Sequence, residues 1–89
     1  MYVLFTLTNE DEIGSTEHRV YHMQDSDYNE DYLDEFATDL VEEANSLFGI
    51  EVGSEKDGVE VTGYSCNWKL LEDMSEDEIV VTYGAIWEV

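Results

Sequence analysis

Basic residues are scarce in this sequence. Only 3 of the 89 residues are lysine or arginine, against 23 aspartates and glutamates, and the formal net charge is −20 at pH 7. Most carboxylates therefore have no opposite charge to pair with, and a folded chain with this imbalance repels itself. The same charge disfavours anionic membrane surfaces and direct binding of nucleic acid. We expect salt, bound cations or a basic partner to offset the repulsion.

Cysteine, proline and long apolar runs are also scarce. Cys66 is the single cysteine, which excludes an intramolecular disulfide and fits a reducing compartment. No apolar run approaches the roughly 20 residues of a membrane-spanning helix, and the first residues lack the basic region of a signal peptide. These absences predict a cytoplasmic protein without a membrane partner. Proline is absent, which leaves sheet edges poorly guarded and would allow pairing into a homodimer.

The rest of the composition is that of a folded domain. Hydrophobic residues make up 43% of the chain, well above the content of a disordered acidic tail. A chain of this length can bury one modest core but not two. We therefore expect a single domain spanning residues 1–89.

The strongest pattern in the sequence is helical and runs from Asp27 to Phe48. Its apolar residues recur at intervals of three and four and fall within an arc of roughly 140°. Asp27 and Glu30 resemble a capping box at the start, and Gly49 supplies a stop at the end. The pattern predicts an amphipathic helix of about six turns, with carboxylates on the face away from the core.

Strand patterns flank this helix. Residues 2–8 are apolar on both alternating faces, which predicts a strand well inside a sheet. Residues 79–89 alternate most regularly and predict the last strand. A change of parity near Gly63 indicates a bulge. The predicted strands are 2–8, 16–23, 59–68 and 79–89, with a shorter candidate at 50–52.

The resulting order of elements is β-β-α-β(-β)-β. Hairpin connections dominate, including an Asp57-Gly58 turn signal. The order predicts an α+β fold, in which an antiparallel β-sheet of about four to five strands has one long amphipathic helix packed on one face.

Carboxylates crowd three parts of the chain, which are the predicted helix and the loops at residues 10–12 and 72–78. The seven from Glu30 to Glu43 on the helix span roughly 20 Å, or about one per 3 Å of helix axis. Duplex DNA carries one charge per ~1.7 Å counting both strands, or one per ~3.4 Å along one strand. The two densities are comparable, so we predict that these carboxylates bind a basic partner. They are Glu30, Asp31, Asp34, Glu35, Asp39, Glu42 and Glu43 on the helix, and Glu72, Asp73, Glu76 and Asp77 in the connection before the last strand.

Other kinds of site are disfavoured. The segment Asp25–Asp31 matches alternate positions of an EF-hand loop, but the glycine and the final glutamate of that loop are missing. His18, His22 and Cys66 lack the spacing of metal ligands. A thiol in strongly negative surroundings is a poor nucleophile, and there is no glycine-rich phosphate loop. We therefore predict no enzymatic activity, no metal site and no cofactor.

In size, charge, predicted α+β plan and lack of enzymatic motifs, the chain resembles the small acidic DNA-mimic proteins encoded by phages and mobile elements. Those proteins bind host nucleic-acid-binding proteins such as restriction enzymes, CRISPR effectors, nucleoid proteins and repair enzymes. The resemblance implies an inhibitor that occupies the nucleic-acid-binding site of a basic host protein in the host cytoplasm. Members of the class share charge rather than a motif, so the resemblance carries over no functional residue.

Two other functions fit the same composition. One is an acidic interaction or chaperone-like module that shields a basic protein without copying DNA geometry. Duplex DNA would displace the partner of a mimic, whereas it need not displace the partner of a shield. The other is a salt-adapted domain of unrelated function, which would need molar salt to fold.

Overall fold

Two long strands begin the chain and form a hairpin. The computed structural model describes residues 1–12 and 14–89, and only the backbone of Asp27. Strand β1 spans Tyr2–Asn9 and strand β2 spans Thr16–His22. They pair antiparallel with Phe5 opposite Arg19. The predicted hairpin is confirmed.

Helix α1 spans Glu30–Leu47 and follows a short 3₁₀ turn at Asp25–Asp27. Asn29 is the N-cap, because its side-chain Oδ1 accepts a hydrogen bond from the backbone N–H of Asp31 at 2.8 Å. The prediction of a helix is confirmed, but its start at Asp27 is wrong. Asparagine is as good an N-cap residue as aspartate. The 3₁₀ turn at Asp25–Asp27 also occupies the position at which the predicted helix begins.

The segment after α1 contains a small hairpin and then the third long strand. Strands β3 (Glu55–Lys56) and β4 (Val59–Glu60) pair antiparallel around the predicted Asp57-Gly58 turn. Strand β5 spans Tyr64–Leu70 and pairs antiparallel with β1. The predicted strand at 59–68 is therefore two strands, and Gly63 is the junction between them rather than a bulge. The candidate strand at 50–52 does not form.

The last part of the chain differs most from its prediction. Helix α2 spans Glu76–Tyr83 and strand β6 spans Ile86–Glu88, so the predicted strand at 79–89 is wrong over its first half. Ser75 caps α2, since its Oγ accepts a hydrogen bond from the backbone N–H of Glu78 at 3.3 Å. This local capping favours helix over the alternation of apolar residues.

Strands β1, β2, β5 and β6 form a mixed sheet in the order β5-β1-β2-β6. β1 is antiparallel to both of its neighbours, whereas β6 is parallel to β2. β5 and β6 thus run in the same direction, and parallel strands need a crossover connection. α2 supplies that crossover. The α+β prediction is confirmed, and the sheet is antiparallel except at its β2–β6 pairing.

Both faces of the sheet are covered. On one face, α1 packs against β1 and β5. On the opposite face, α2 packs against β2. Alternate residues of β1 serve the two cores, as expected for a strand inside a sheet: Phe5 faces α1, whereas Leu4 faces α2. The buried core facing α1 comprises Val3, Phe5, Leu7, Tyr21, Met23, Leu33, Ala37 and Leu40, and the core facing α2 comprises Leu4, Val20, Leu71 and Ile79.

Candidate protein-binding surface

The outer face of α1 carries the helical carboxylates. Its buried residues are Leu33, Ala37, Leu40 and Ala44, which leaves the opposite side of the helix in solvent. The seven predicted helix residues, Glu30, Asp31, Asp34, Glu35, Asp39, Glu42 and Glu43, are all exposed. We call this set the α1 acidic row. No basic residue lies in the last turn of α1, where a cation would favour the helix dipole.

The spacing of the α1 acidic row destabilises the helix that carries it. Asp31, Glu35 and Asp39 follow one another at intervals of four residues, and Glu43 continues the series. Like charges at this interval lie side by side on a helix and cost about 0.2–0.5 kcal/mol for each pair. The helix contains neither lysine nor arginine to offset these contacts. The row therefore opposes folding, which favours a role in binding rather than in stabilising the structure.

One carboxylate of the row is held in place by the sheet. The indole Nε1 of Trp68, on β5, donates a hydrogen bond to Asp34 Oδ1 at 2.7 Å. The ion pairs of the described residues involve other acids: Glu17 pairs with Arg19, and Glu88 lies 3.2 Å from His22. Asp25 pairs with the terminal ammonium group. None of the predicted partner-binding carboxylates is neutralised within the described part of the chain.

The connection acids lie on the other face of the sheet. Glu72 and Asp73 follow β5, and Glu76 and Asp77 form the first turn of α2. All four are exposed. Acids in a first turn also stabilise the helix through its dipole, so Glu76 and Asp77 have a structural role as well. Because α1 and α2 cover opposite faces, one flat partner surface cannot contact both acidic groups at once.

The segments that lead into α1 and α2 meet at one end of the sheet. A crevice of about 650 Å³ opens there between the segment that leads into α1 and the segment that leads into α2. Asp25 and Tyr28 line one side, and Glu72 and Met74 line the other. The crevice thus holds one acid on each side, and the terminal ammonium group of Met1 lies beside Asp25 within it.

A second crevice, of about 580 Å³, lies at the opposite end of α1 and contains acids that the sequence analysis did not assign to a site. Glu12, Glu51 and Glu55 line it beside Phe48, whose side chain is 63% exposed. Asp11 lines the crevice too but has a structural task. Its carboxylate accepts hydrogen bonds from the backbone N–H groups of Thr62 and Gly63, which hold its pKa below the ordinary value.

Aromatic side chains of β2, α1 and β6 form a cluster. Tyr21 packs between Phe36 of α1 and Trp87 of β6. Trp87 is half exposed, and the Arg19 guanidinium lies 5.3 Å from the centre of its ring. The sequence predicted no role for Trp87, because its exposure depends on where β6 joins the sheet.

The residues considered for metal binding or catalysis do not form a site. Within residues 1–12 and 14–89, no group of three or more histidine, cysteine, aspartate or glutamate side chains could hold a metal ion. His22 stacks on Tyr2, whereas His18 packs edge-on against Tyr83. Burial raises the pKa of the Cys66 thiol to about 11, with Arg19 opposing the shift. The thiol is therefore protonated at neutral pH and poorly nucleophilic.

Comparisons with known proteins give no identification. The chain matches no protein-family model, no curated protein and no solved structure. In the described part of the chain, no helix is both long enough and apolar enough to cross a membrane.

Proposed function

We propose that this protein is a DNA mimic, which inhibits a nucleic-acid-binding protein of the host by presenting the α1 acidic row to its lysines and arginines. The observation that carries the proposal is the row itself: seven exposed carboxylates on one helix, without a basic neighbour, at a cost to helix stability. The binding is electrostatic, and nucleic acid is excluded by competition. The partner releases counterions here as it would on DNA.

The length of the α1 acidic row sets how much duplex one copy replaces. From Glu30 to Glu43 the row spans roughly 20 Å at ~1.5 Å per residue, which is more than half of one helical turn of DNA, roughly 34–36 Å. A homodimer would lengthen this charged surface to more than one turn of duplex.

The two acidic groups then have different roles. The α1 acidic row enters the nucleic-acid groove of the partner. Glu72, Asp73, Glu76 and Asp77 lie on the opposite face, so they contact only those partner segments that reach around the end of the sheet. The crevice between Tyr28 and Glu72 marks the path that such a segment would follow.

A charge-reversal experiment tests the proposal. The tagged protein is used to capture partners from bacterial lysate at about 0.15 M salt, and excess duplex DNA is used for elution. The α1 variant carries Glu35→Lys, Asp39→Lys and Glu42→Lys, which lie on the outermost line of the helix. Asp34 is left unchanged because it bonds Trp68. We expect DNA to elute the partner from the unmodified protein, and the α1 variant to lose the partner.

The matched control reverses three exposed acids outside both helices, Glu55→Lys, Glu72→Lys and Asp73→Lys, and changes the net charge equally. We expect this variant to bind at least tenfold more tightly than the α1 variant. Equal binding by both variants would mean that net charge alone is recognised, and the DNA-mimic proposal would fail. A partner that DNA does not displace would favour the shielding module instead.

A further inference from the structure

The outer edge of β5 is the longest open strand edge in the described part of the molecule. β5 has seven residues and ends the sheet on one side, and no strand among residues 1–12 and 14–89 pairs with its outer side. The opposite end of the sheet is β6, with three residues. An open edge presents unpaired N–H and C=O groups to any extended chain that approaches it.

The hydrogen bonds at the two ends of the β1–β5 ladder fix which groups face outward. The Leu71 N–H donates to the Tyr2 carbonyl at 3.0 Å, and the Glu10 N–H donates to the Gly63 carbonyl at 2.9 Å. Because bonded and non-bonded pairs alternate in an antiparallel ladder, the odd-numbered residues of β5 bond β1 and the even-numbered ones face outward. The outward set is Tyr64, Cys66, Trp68 and Leu70.

Tyr64 confirms this assignment and is the one outward residue whose N–H is already used. Its N–H donates to the side-chain Oδ1 of Asn45 at 3.0 Å. The ladder with β1 continues through β5 without an offset, so no bulge distorts the edge. Proline is absent, and Lys69 is the only charged residue on the strand. Three usual features that prevent edge pairing, a proline, a bulge and a very short strand, are therefore missing, and Lys69 is the one that is present.

We propose that the outer edge of β5 binds an extended basic segment of the partner protein by strand addition. The geometry of the edge stands on its own, whereas the basic chemistry of the segment rests on the proposed function. Strand addition gives affinity through backbone hydrogen bonds and specificity through alternate side chains. Here the outward N–H and C=O groups of Cys66, Trp68 and Leu70 would form hydrogen bonds with the added strand.

Charge decides between a basic segment and a second copy of this chain. α1 packs over β5, and Asp34 of the acidic row is bonded to the Trp68 indole. Alternate side chains of an added strand would therefore point toward the α1 side of the edge, where lysine or arginine meets carboxylates. A second copy would instead bring two chains of charge −20 and two acidic rows together, which is repulsive.

Amide hydrogen exchange on the whole protein tests the proposal with two synthetic peptides. One peptide alternates lysine with valine. The other alternates lysine with proline, so that it carries the same charge but lacks half of the donors that extend a sheet. We expect the lysine–valine peptide to slow exchange at Cys66, Trp68 and Leu70 at least tenfold, and the lysine–proline peptide to leave it unchanged.

A proline substitution separates the edge from the rest of the strand. Cys66→Pro removes an outward N–H and leaves the bonds to β1 intact, and Cys66→Ala is its matched control. Relative to Cys66→Ala, we expect Cys66→Pro to bind the lysine–valine peptide about tenfold more weakly. The affinity for the lysine–proline peptide should be the same in both variants. Slow exchange at Asn67, which bonds β1, verifies that the sheet is intact. Leu70→Pro repeats the test at the end of the strand if Cys66→Pro lowers stability.

Three results would overturn the proposal. They are equal protection by both peptides, equal affinity of Cys66→Pro and Cys66→Ala for the lysine–valine peptide, and protection of the same amides by rising protein concentration alone, which would assign the edge to a second copy.

The outcome for the β5 edge can be separated from the outcome for the proposed function. If the captured partner still binds the proline variants but not the variant with the α1 acidic row reversed, the DNA-mimic proposal stands and strand addition fails. If the lysine–valine peptide protects the edge but DNA does not displace the partner, strand addition stands and the DNA-mimic proposal fails.

Discussion

Gly63 marks the point where the small hairpin, the end of α1 and the start of β5 meet. Its φ is +82°, and a Cβ placed there would lie 2.8 Å from Asn45 Oδ1 and 2.9 Å from Val52 Cγ2. We expect Gly63→Ala to lower the free energy of unfolding through backbone strain of about 1–2 kcal/mol and through a further ~1–3 kcal/mol of steric conflict. Gly58→Ala is the control, because its φ is +81° and its Cβ would meet no atom within 4 Å. Urea unfolding of both variants measures the difference, and equal losses would refute the close approach.

Asp11 makes the fold sensitive to acid at one residue. Hydrogen bonds from the Thr62 and Gly63 N–H groups lower its pKa from an ordinary value of 3.8. A lowered folded-state pKa contributes stability that is present above the unfolded pKa and is lost as pH falls through the folded one. We expect Asp11→Asn to destabilise the protein at neutral pH, with the deficit shrinking below about pH 4.

Unfolding of Asp11→Asn and of the unmodified protein, compared from pH 7 to pH 3, measures this effect. The difference between the two proteins is the informative quantity, because acid also relieves the general repulsion. Glu12→Gln removes the same charge at an exposed neighbour and controls for the change in net charge. A deficit that stayed constant with pH would mean that the carboxylate of Asp11 is not the group that titrates.

At the scale of the helix, we expect the α1 acidic row to lower the free energy of unfolding and to strengthen binding of the partner. Glu35→Lys removes repulsion with Asp31 and Asp39 and replaces it with attraction at the same spacing. We expect the variant to gain roughly 1 kcal/mol in the free energy of unfolding while it binds the captured partner more weakly. Glu35→Gln removes only the repulsion and should gain about half as much. Thermal unfolding and a binding titration measure both effects, and a destabilised Glu35→Lys would contradict them.

The two helices show how far local sequence specifies this fold. α1 could be predicted because its periodicity, its acidic face and its stop at Gly49 are all local signals, although its N-cap is Asn29 rather than the predicted Asp27. The alternation of Ile79, Val81 and Tyr83 predicted a strand, yet α2 buries Ile79 and leaves Val81 87% exposed. The Ser75-x-x-Glu78 capping box was the signal that could have identified α2.

The candidate site divides in the same way. The exposure of the α1 acidic row followed from its local pattern. The position of Glu72 and its neighbours on the opposite face did not, because it depends on the crossover between β5 and β6. The open edge of β5 likewise depends on strand order, which no single stretch of sequence contains.

For the whole molecule, the unbalanced charge should appear as a dependence of stability on salt. Repulsion among exposed charges is screened beyond a distance of about 10 Å at 0.1 M ionic strength. We expect the melting temperature to rise by roughly 5 °C or more between low salt and about 0.5 M sodium chloride, with the chain already folded at the lower concentration. Circular dichroism measures both. A chain that is unfolded until molar salt is added would support the salt-adapted alternative.

The central place of β1 has a consequence for synthesis on the ribosome. β1 is made before β5, one of its two neighbours, and the two are separated in the chain by β2, α1 and the small hairpin. Until then Val3, Phe5 and Leu7 lack part of the cover that buries them, and such incomplete sheets aggregate readily. The acidic residues of the intervening segment are already present at that stage. We expect their mutual repulsion to keep neighbouring nascent chains apart, so that the charge which lowers the stability of the finished fold reduces aggregation of the unfinished one.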